Sequence, residues 1–204
     1  MIAIVDYGMG NRRSVEKALE HVGARTLVTS DHGDLRAAEG LLLPGVGAFP
    51  EAMRVIRERG LDEVLRERAA AGVPLLGICL GMQLLFQRSE ELGGAEGLGL
   101  LPGAVTRLAG EKLPHIGWNR VTLRREGRLT AQFGEGAAFY HVHSFACRPS
   151  DPDDAVGFGE YGETFCSIVE RDNVFGVQFH PEKSSADGLA LLSAFSGICE
   201  RVAA

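Results

Sequence analysis

The chain has 204 residues, 45% of them hydrophobic and 24% charged, enough for one well-buried domain and too short for two comfortable ones. A net charge of −6 provides no basic field for phosphate backbones or anionic lipid, so no nucleic-acid or membrane partner is expected and a neutral or zwitterionic substrate fits better. Four cysteines without paired metal spacings argue against a disulfide scaffold or zinc module, and no apolar run approaches the roughly 20 residues of a membrane helix.

The opening residues carry no basic segment and no long apolar stretch before Gly8, so they read as a strand, and a reduced, cytoplasmic protein is expected. In chain order the patterns predict strand 2–5, helix 12–22, strands 25–28 and 41–43, helices across 51–71, strand 75–78 and helix 80–86. This alternation predicts an α/β fold: an open mixed, mostly parallel central sheet with helices on both faces. Charges of both signs between Arg54 and Arg68 recur at helical spacing around Val55, Ile56, Leu61, Val64 and Leu65, marking a solvated helix face. Beyond residue 103 the runs 104–108, 119–123, 138–142, 156–159, 165–169 and 174–179 read as strands joined too tightly for helices, hence antiparallel neighbours, before a helix over 184–199. The Gly- and Pro-rich stretch 93–102 reads as a loop, and 1–204 as a single domain.

Chemistry concentrates in three segments. In Gly77-Ile-Cys79-Leu-Gly81 an apolar strand ends on a thiol flanked by glycines, with a helix starting at once. That is the thiol form of a nucleophile elbow, in which the glycines permit a tight strand-to-helix turn and the helix N-terminus favours the thiolate. A buried structural cysteine beside two packing glycines is the alternative. In Gln178-Phe-His180-Pro-Glu182 a second strand ends on a histidine with an acid two positions on, the base and orienting carboxylate a thiol nucleophile needs. On an extended segment residues i and i+2 share a face, which would aim Glu182 at the ring. In Pro44-Gly45-Val46-Gly47 a glycine-flanked loop could offer the Val46 N–H, beside that of Leu80, to a developing oxyanion; an ordinary strand-to-helix turn explains it equally well.

Together, Gly-Ile-Cys-Leu-Gly-Met-Gln, Gln-Phe-His-Pro-Glu-Lys-Ser and Pro-Gly-Val-Gly-Ala-Phe resemble the class I, triad-type glutamine amidotransferases. Within that class, Val5-Asp-Tyr-Gly-Met-Gly-Asn11, His115-Ile-Gly-Trp118-Asn119 and Tyr140-His-Val-His143-Ser144-Phe145 are similar to the glutaminase subunits of imidazole glycerol phosphate synthases, over essentially the whole chain. The resemblance implies a flavodoxin-like, three-layer architecture and no cofactor or metal. It implies that Cys79, His180 and Glu182 form the triad and that Val46, Leu80 and Gly45 build the oxyanion site. It implies that Gly47, Gln83, Glu91, His143, Ser144 and Phe145 hold the glutamine. It further implies a (β/α)₈ cyclase partner that consumes the ammonia in histidine biosynthesis, docked through Asn11, Trp118, Asn119, Tyr140 and Lys183, although Trp118 could equally be core. It suggests a poor glutaminase when free, switched on through rotation of the 44–47 backbone that the glycine at 45 would permit.

Other readings rank lower. Gly8-Met-Gly10 with Asp31 suggests a dinucleotide fingerprint, but Arg13 occupies the third glycine position. His141, His143, His180 and Cys79 could bind a metal, which would blunt the thiol. A thiol esterase of the dienelactone-hydrolase type places its acid before the histidine, whereas Glu182 follows His180. A subunit serving another ammonia-using synthase, or a silent regulatory scaffold, completes the alternatives.

Overall fold

The computed structural model describes the backbone of residues 1–203 and the side chains of residues 1–201. The first half comprises β1 (Ile2–Val5), α1 (Arg12–His21), β2 (Thr26–Thr29), α2 (His32–Ala37), β3 (Gly40–Gly45), α3 (Phe49–Glu58), α4 (Leu61–Ala70), β4 (Leu75–Cys79) and α5 (Leu80–Leu84). The second adds β5 (Phe86–Ser89), β6 (Ala95–Glu96), β7 (Leu101–Arg107), β8 (His115–Leu123), β9 (Gly136–His143), β10 (Phe145–Pro149), β11 (Ala155–Glu160), β12 (Thr164–Arg171), β13 (Val174–Val177) and α6 (Ser185–Ala203). Among the described residues the thirteen strands form one sheet in the order β2-β1-β3-β4-β13-β12-β10-β7-β5-β6, with β11, β8 and β9 branching from β12. Strands β2, β1, β3, β4 and β13 run parallel. Beyond β13 every pairing is antiparallel except β5 beside β7.

Every residue of β1, β3, β4 and β13 is buried, which is why these segments read as continuous apolar runs rather than alternating ones. Ala3, Val5, Leu41, Leu43 and Leu75 pack toward Met53, Ile56, Val64 and Leu65 of α3 and α4. Their neighbours Ile2, Ile4, Leu42, Leu76 and Ile78 pack toward Val15 and Leu19 of α1 and Leu191, Leu192 and Phe195 of α6 on the other face. The helices across 51–71 are two, divided at Gly60, whose φ of 64° is left-handed.

Several details depart from the sequence pattern. The helix after Cys79 stops at Leu84, because Phe86 pairs with Leu101 and opens β5. The expected loop 93–102 contains β6, held by antiparallel pairing to β5. Neither α2 nor β10 was predicted; β10 is only five residues long and ends on a proline.

Strand β4 and helix α5 approach so closely that glycine is obligatory. A Cβ at Gly77 would stand 2.6 Å from the Gly81 carbonyl carbon, and one at Gly81 would overlap the backbone oxygen of Leu43. Gly81→Ala is therefore expected to lower the urea unfolding free energy by about 3 kcal/mol, since a backbone oxygen cannot swing aside. Gly197→Ala, on an open face inside α6, should raise it by about 1 kcal/mol through helix propensity. Equal midpoints for the two variants would refute the close approach at the elbow.

Candidate active site

The register makes the parallel strands finish level. Gly45 lies opposite Cys79 on one side of β4, and Val177 lies opposite Ile78 on the other. The loop after β3, the thiol of β4 and the segment following β13 therefore meet at the carboxyl edge of the sheet, where α/β folds bind ligands. Cys79 itself has φ 55° and ψ −111°, a left-handed conformation that a non-glycine residue adopts at cost. The strain is held by the strand before it and the helix after it, and it turns the sulfur out of the sheet. Because α5 is only five residues long, the local N–H groups at its start matter more than any macrodipole.

His180 reaches this point from the end of the neighbouring strand. Its N–H donates to the Tyr140 carbonyl (2.9 Å), and its own carbonyl accepts from the Ser184 hydroxyl (2.7 Å), which in turn accepts from the Tyr140 N–H (3.0 Å). Ser184 thus ties the histidine backbone to β9. The ring Nδ1 donates to Glu182 Oε1 at 2.9 Å, with both side chains almost wholly buried. Glu182 does not arrive by strand alternation. His180 is extended, but Pro181–Lys183 forms a 3₁₀ turn that brings the carboxylate back under the ring, a correction to the shared-face argument. Burial alone would push the His180 pKa down, but hydrogen bonds and charge from Cys79 and Glu182 outweigh it and raise it to about 10. The imidazole accordingly keeps its proton at neutral pH.

A cleft of about 280 Å³ opens over the sulfur, at the small end of ligand pockets and of a size for an amino acid. Val46, Gly47, Cys79, Leu80, Gln83 and Glu91 line one side. His143, Ser144, Phe145, His180 and Lys183 line the other. Glu182 lies behind His180, away from the cleft, and Gly45 lies beneath its floor. Outside the triad, the acid best placed for a ligand's ammonium is Glu91, whose Oε2 accepts from the Phe49 N–H at 2.8 Å and so caps α3.

The glutamine amidotransferase class-I sequence model matches residues 3–196. This chain belongs to the class-I glutamine amidotransferases. The imidazole glycerol phosphate synthase subunit HisH of Bacillus cereus (strain G9842) is 52% identical over 202 residues, spanning 98% of this chain and 96% of that one. The subunit of the same name from Moorella thermoacetica is 53% identical over 195 residues, spanning 95% and 93%. A crystal structure of a glutamine amidotransferase superposes with a TM-score of 0.78 over 98% of this chain and 100% of the other; at 19% identity it speaks for the fold alone.

In this amidotransferase Gly45 is explained by space rather than by freedom of rotation. Its φ is not left-handed, and a Cβ there would meet the Tyr7 hydroxyl at 2.5 Å. That hydroxyl donates to the Pro44 carbonyl at 2.9 Å, while the left-handed residue of the loop is Gly47, at φ 102°. Gly45→Ala would therefore disturb packing whether or not the loop rotates, and it cannot test the rotation.

The histidines are not arranged as ligands. The Phe145 carbonyl can only accept, so His143 Nδ1 carries a hydrogen (2.9 Å) and its Nε2 accepts from His115 Nδ1 (3.1 Å). His141 donates to the Phe139 carbonyl (3.0 Å) and accepts from Ser167 (2.9 Å). Burial holds all three neutral, driving His141 down to about 3, His143 to about 4, and His115 below its ordinary value. Among the described residues no group of three or more metal-ligating side chains is placed to hold an ion. Both nitrogens of the His143 ring are thus spent internally, although the residue lines the cleft.

Of the remaining predicted positions, Trp118 is 55% exposed and stands edge-on to Tyr140, its cross-strand partner, at 6.2 Å, so it is not core. Lys183 sits at the cleft and Asn11 at the start of α1, which contacts the Pro181–Lys183 turn. Asn119 points away from Trp118, donating inward to the Glu160 carbonyl (2.8 Å) and toward His115 Nε2 (3.3 Å). Other large exposed hydrophobics are Val46 on the cleft, Leu92 beside Glu91 and Ile116 two positions before Trp118. Sequence reasoning missed Gln178 and Ser184. Both lie within the His180 segment already singled out, and a lone amide in the otherwise apolar run 174–179 was the signal available for the first.

Proposed function

We propose that this chain is the glutaminase subunit of an imidazole glycerol phosphate synthase, in which Cys79, His180 and Glu182 hydrolyse glutamine and the ammonia passes to a cyclase subunit. The observation that carries this reading is the buried Cys79–His180–Glu182 line opening on an amino-acid-sized cleft. The Cys79 sulfur attacks the carboxamide carbon. N–H groups of Val46 and Leu80 receive the oxyanion, and the His180 proton goes to the departing nitrogen. Water, deprotonated by the same ring, then cleaves the γ-glutamyl thioester to glutamate; Glu182 stabilises the imidazolium and, once the proton has left Nε2, keeps the remaining one on Nδ1. Gln83, Glu91, Gly47 and the 143–145 strand grip the substrate's amino acid end.

Ammonia released into water is protonated and lost to synthesis, so a partner must cover the cleft. Val46 and Lys183 line the cleft, Leu92 follows the lining residue Glu91 in sequence, and Ile116 and Trp118 add exposed apolar side chains on β8; with Tyr140 and Asn11 these are the residues assigned to the partner. A (β/α)₈ cyclase is the partner this reading assigns. Asn119 would act there from behind, by stiffening β8. The location assigned is the cytoplasm, and the acidic charge offers nothing to nucleic acid.

The test is co-purification with a candidate cyclase, followed by synthesis of the imidazole product. Glutamine should replace ammonium only when both chains are present. A stable pair that uses ammonium alone would overturn the assignment.

A further inference from the structure

We propose that Gln178 is a positioning residue of this site: it holds the Gln83 amide with its oxygen toward the cleft and sets an N–H donor on the Cys79 sulfur. The inference rests on the glutaminase reading above and names a residue that reading does not use.

The argument begins at an atom that can only accept. The Phe145 carbonyl oxygen lies 3.1 Å from the Gln83 amide nitrogen, which fixes the nitrogen end of Gln83 inward. That nitrogen's other neighbour, also at 3.1 Å, is the Gln178 side chain, and an NH₂ group cannot accept from another NH₂ group, so Gln178 must present its oxygen. Its own nitrogen is then left facing the Cys79 sulfur at 3.8 Å. Both donors of Gln83 are consumed, and its Oε1 is the end of the amide turned to the cleft that Gln83 lines.

Gln178 is completely buried between Val177 and Phe179, which are themselves inaccessible. An apolar residue would fill this place at lower desolvation cost. What the amide adds is orientation. Without its acceptor, only the Phe145 carbonyl opposes a 180° rotation of Gln83 that would offer a donor where the substrate's own N–H groups need an acceptor. Without its donor, the sulfur loses a contact that favours the charged over the neutral form.

The experiment compares Gln178→Met with the wild type in the full chain paired with its cyclase. The expected results are a rise of about tenfold in KM for glutamine, equivalent to one ligand hydrogen bond, and an alkaline shift in the pH profile of Cys79 alkylation by iodoacetamide. All four cysteines are buried, but Cys79 is the one that lines the active-site cleft, and a Cys79→Ser control that takes up no label assigns the reaction to it. A Gln83→Met/Gln178→Met double variant should raise KM no further than Gln83→Met alone, because one acts through the other. A purely structural role would lower thermal stability and leave both the KM and the alkylation profile in place, and that result overturns the proposal, as does additive loss in the double variant. If Gln178→Met does not fold, Gln178→Asn keeps an amide in the core but withdraws it from both partners, and the same two quantities decide. The two claims separate cleanly: a wild-type pair that releases no glutamate defeats the glutaminase reading, whereas a working wild type with indifferent Gln178 variants defeats this inference alone.

Discussion

Replacing Cys79 by alanine is expected to remove glutamine hydrolysis by a factor on the order of 10⁴ or more while leaving the folded chain and its ammonium-driven partner reaction intact. The asymmetry follows from the geometry. The sulfur contributes little to the fold, since its contacts to the Val142 carbonyl and the Gln178 amide are long, at 3.7 and 3.8 Å, and its methylene survives in alanine. No other described thiol can take over, because Cys147, Cys166 and Cys199 are buried in the core and burial pushes their pKa values up. Glu182→Gln should be gentler, about 10³-fold, because the ring stays in place while the tautomer is no longer enforced. Glutamate release under partner activation measures both. A Cys79→Ala chain retaining more than a tenth of the wild-type rate would end the triad assignment.

The second large effect is on stability in mild acid. His141 and His143 are buried and neutral, with pKa values near 3 and 4, while the unfolded chain binds protons at these positions near 6.5. Between those limits the unfolded state holds more protons than the native one, so stability must fall as pH falls. For the two rings together the loss is about 3 to 4 kcal/mol between pH 7.5 and 5, a large share of the 5–15 kcal/mol typical of a domain. His115 works in the same direction. His180 opposes it in part: its native pKa near 10 lies above the unfolded value near 6.5, so its stabilisation is full only below about pH 6 and already declines by pH 7.5, and acidification to pH 5 restores about 1 kcal/mol, leaving a net loss of about 2 to 3 kcal/mol. Urea midpoints at the two pH values measure the loss, and His141→Gln should flatten the slope by about one proton. A midpoint independent of pH over this range would mean that the cluster is solvated and charged.

How much of this was legible in the amino-acid order depends on how local each cause is. The elbow was legible because Gly77 and Gly81 leave a sequence trace of a steric demand: backbone passes too close to their α-carbons for any side chain. The parallel half was legible because strands buried on both faces must be apolar throughout, as β1, β3 and β4 are. The pairing of His180 with Glu182 was legible from spacing, but through the wrong geometry, since strand and 3₁₀ turn both bring i and i+2 within reach and only the folded backbone chooses.

What tertiary structure alone decided is what depends on partners distant in sequence. Phe86 leaves a helical pattern because Leu101 offers it a strand. Trp118 is exposed on β8, where its cross-strand neighbour Tyr140 meets it edge-on. The role of Gln178 is set by Gln83 and Phe145, which lie far from it along the chain. Residue types and short spacings fix which chemistry a segment can perform, because steric and hydrogen-bonding demands within a turn are local. Which groups spend their hydrogen bonds on one another is settled only when the sheet closes, because an amide or an imidazole is indifferent to sequence distance and answers only to the atom it finally meets.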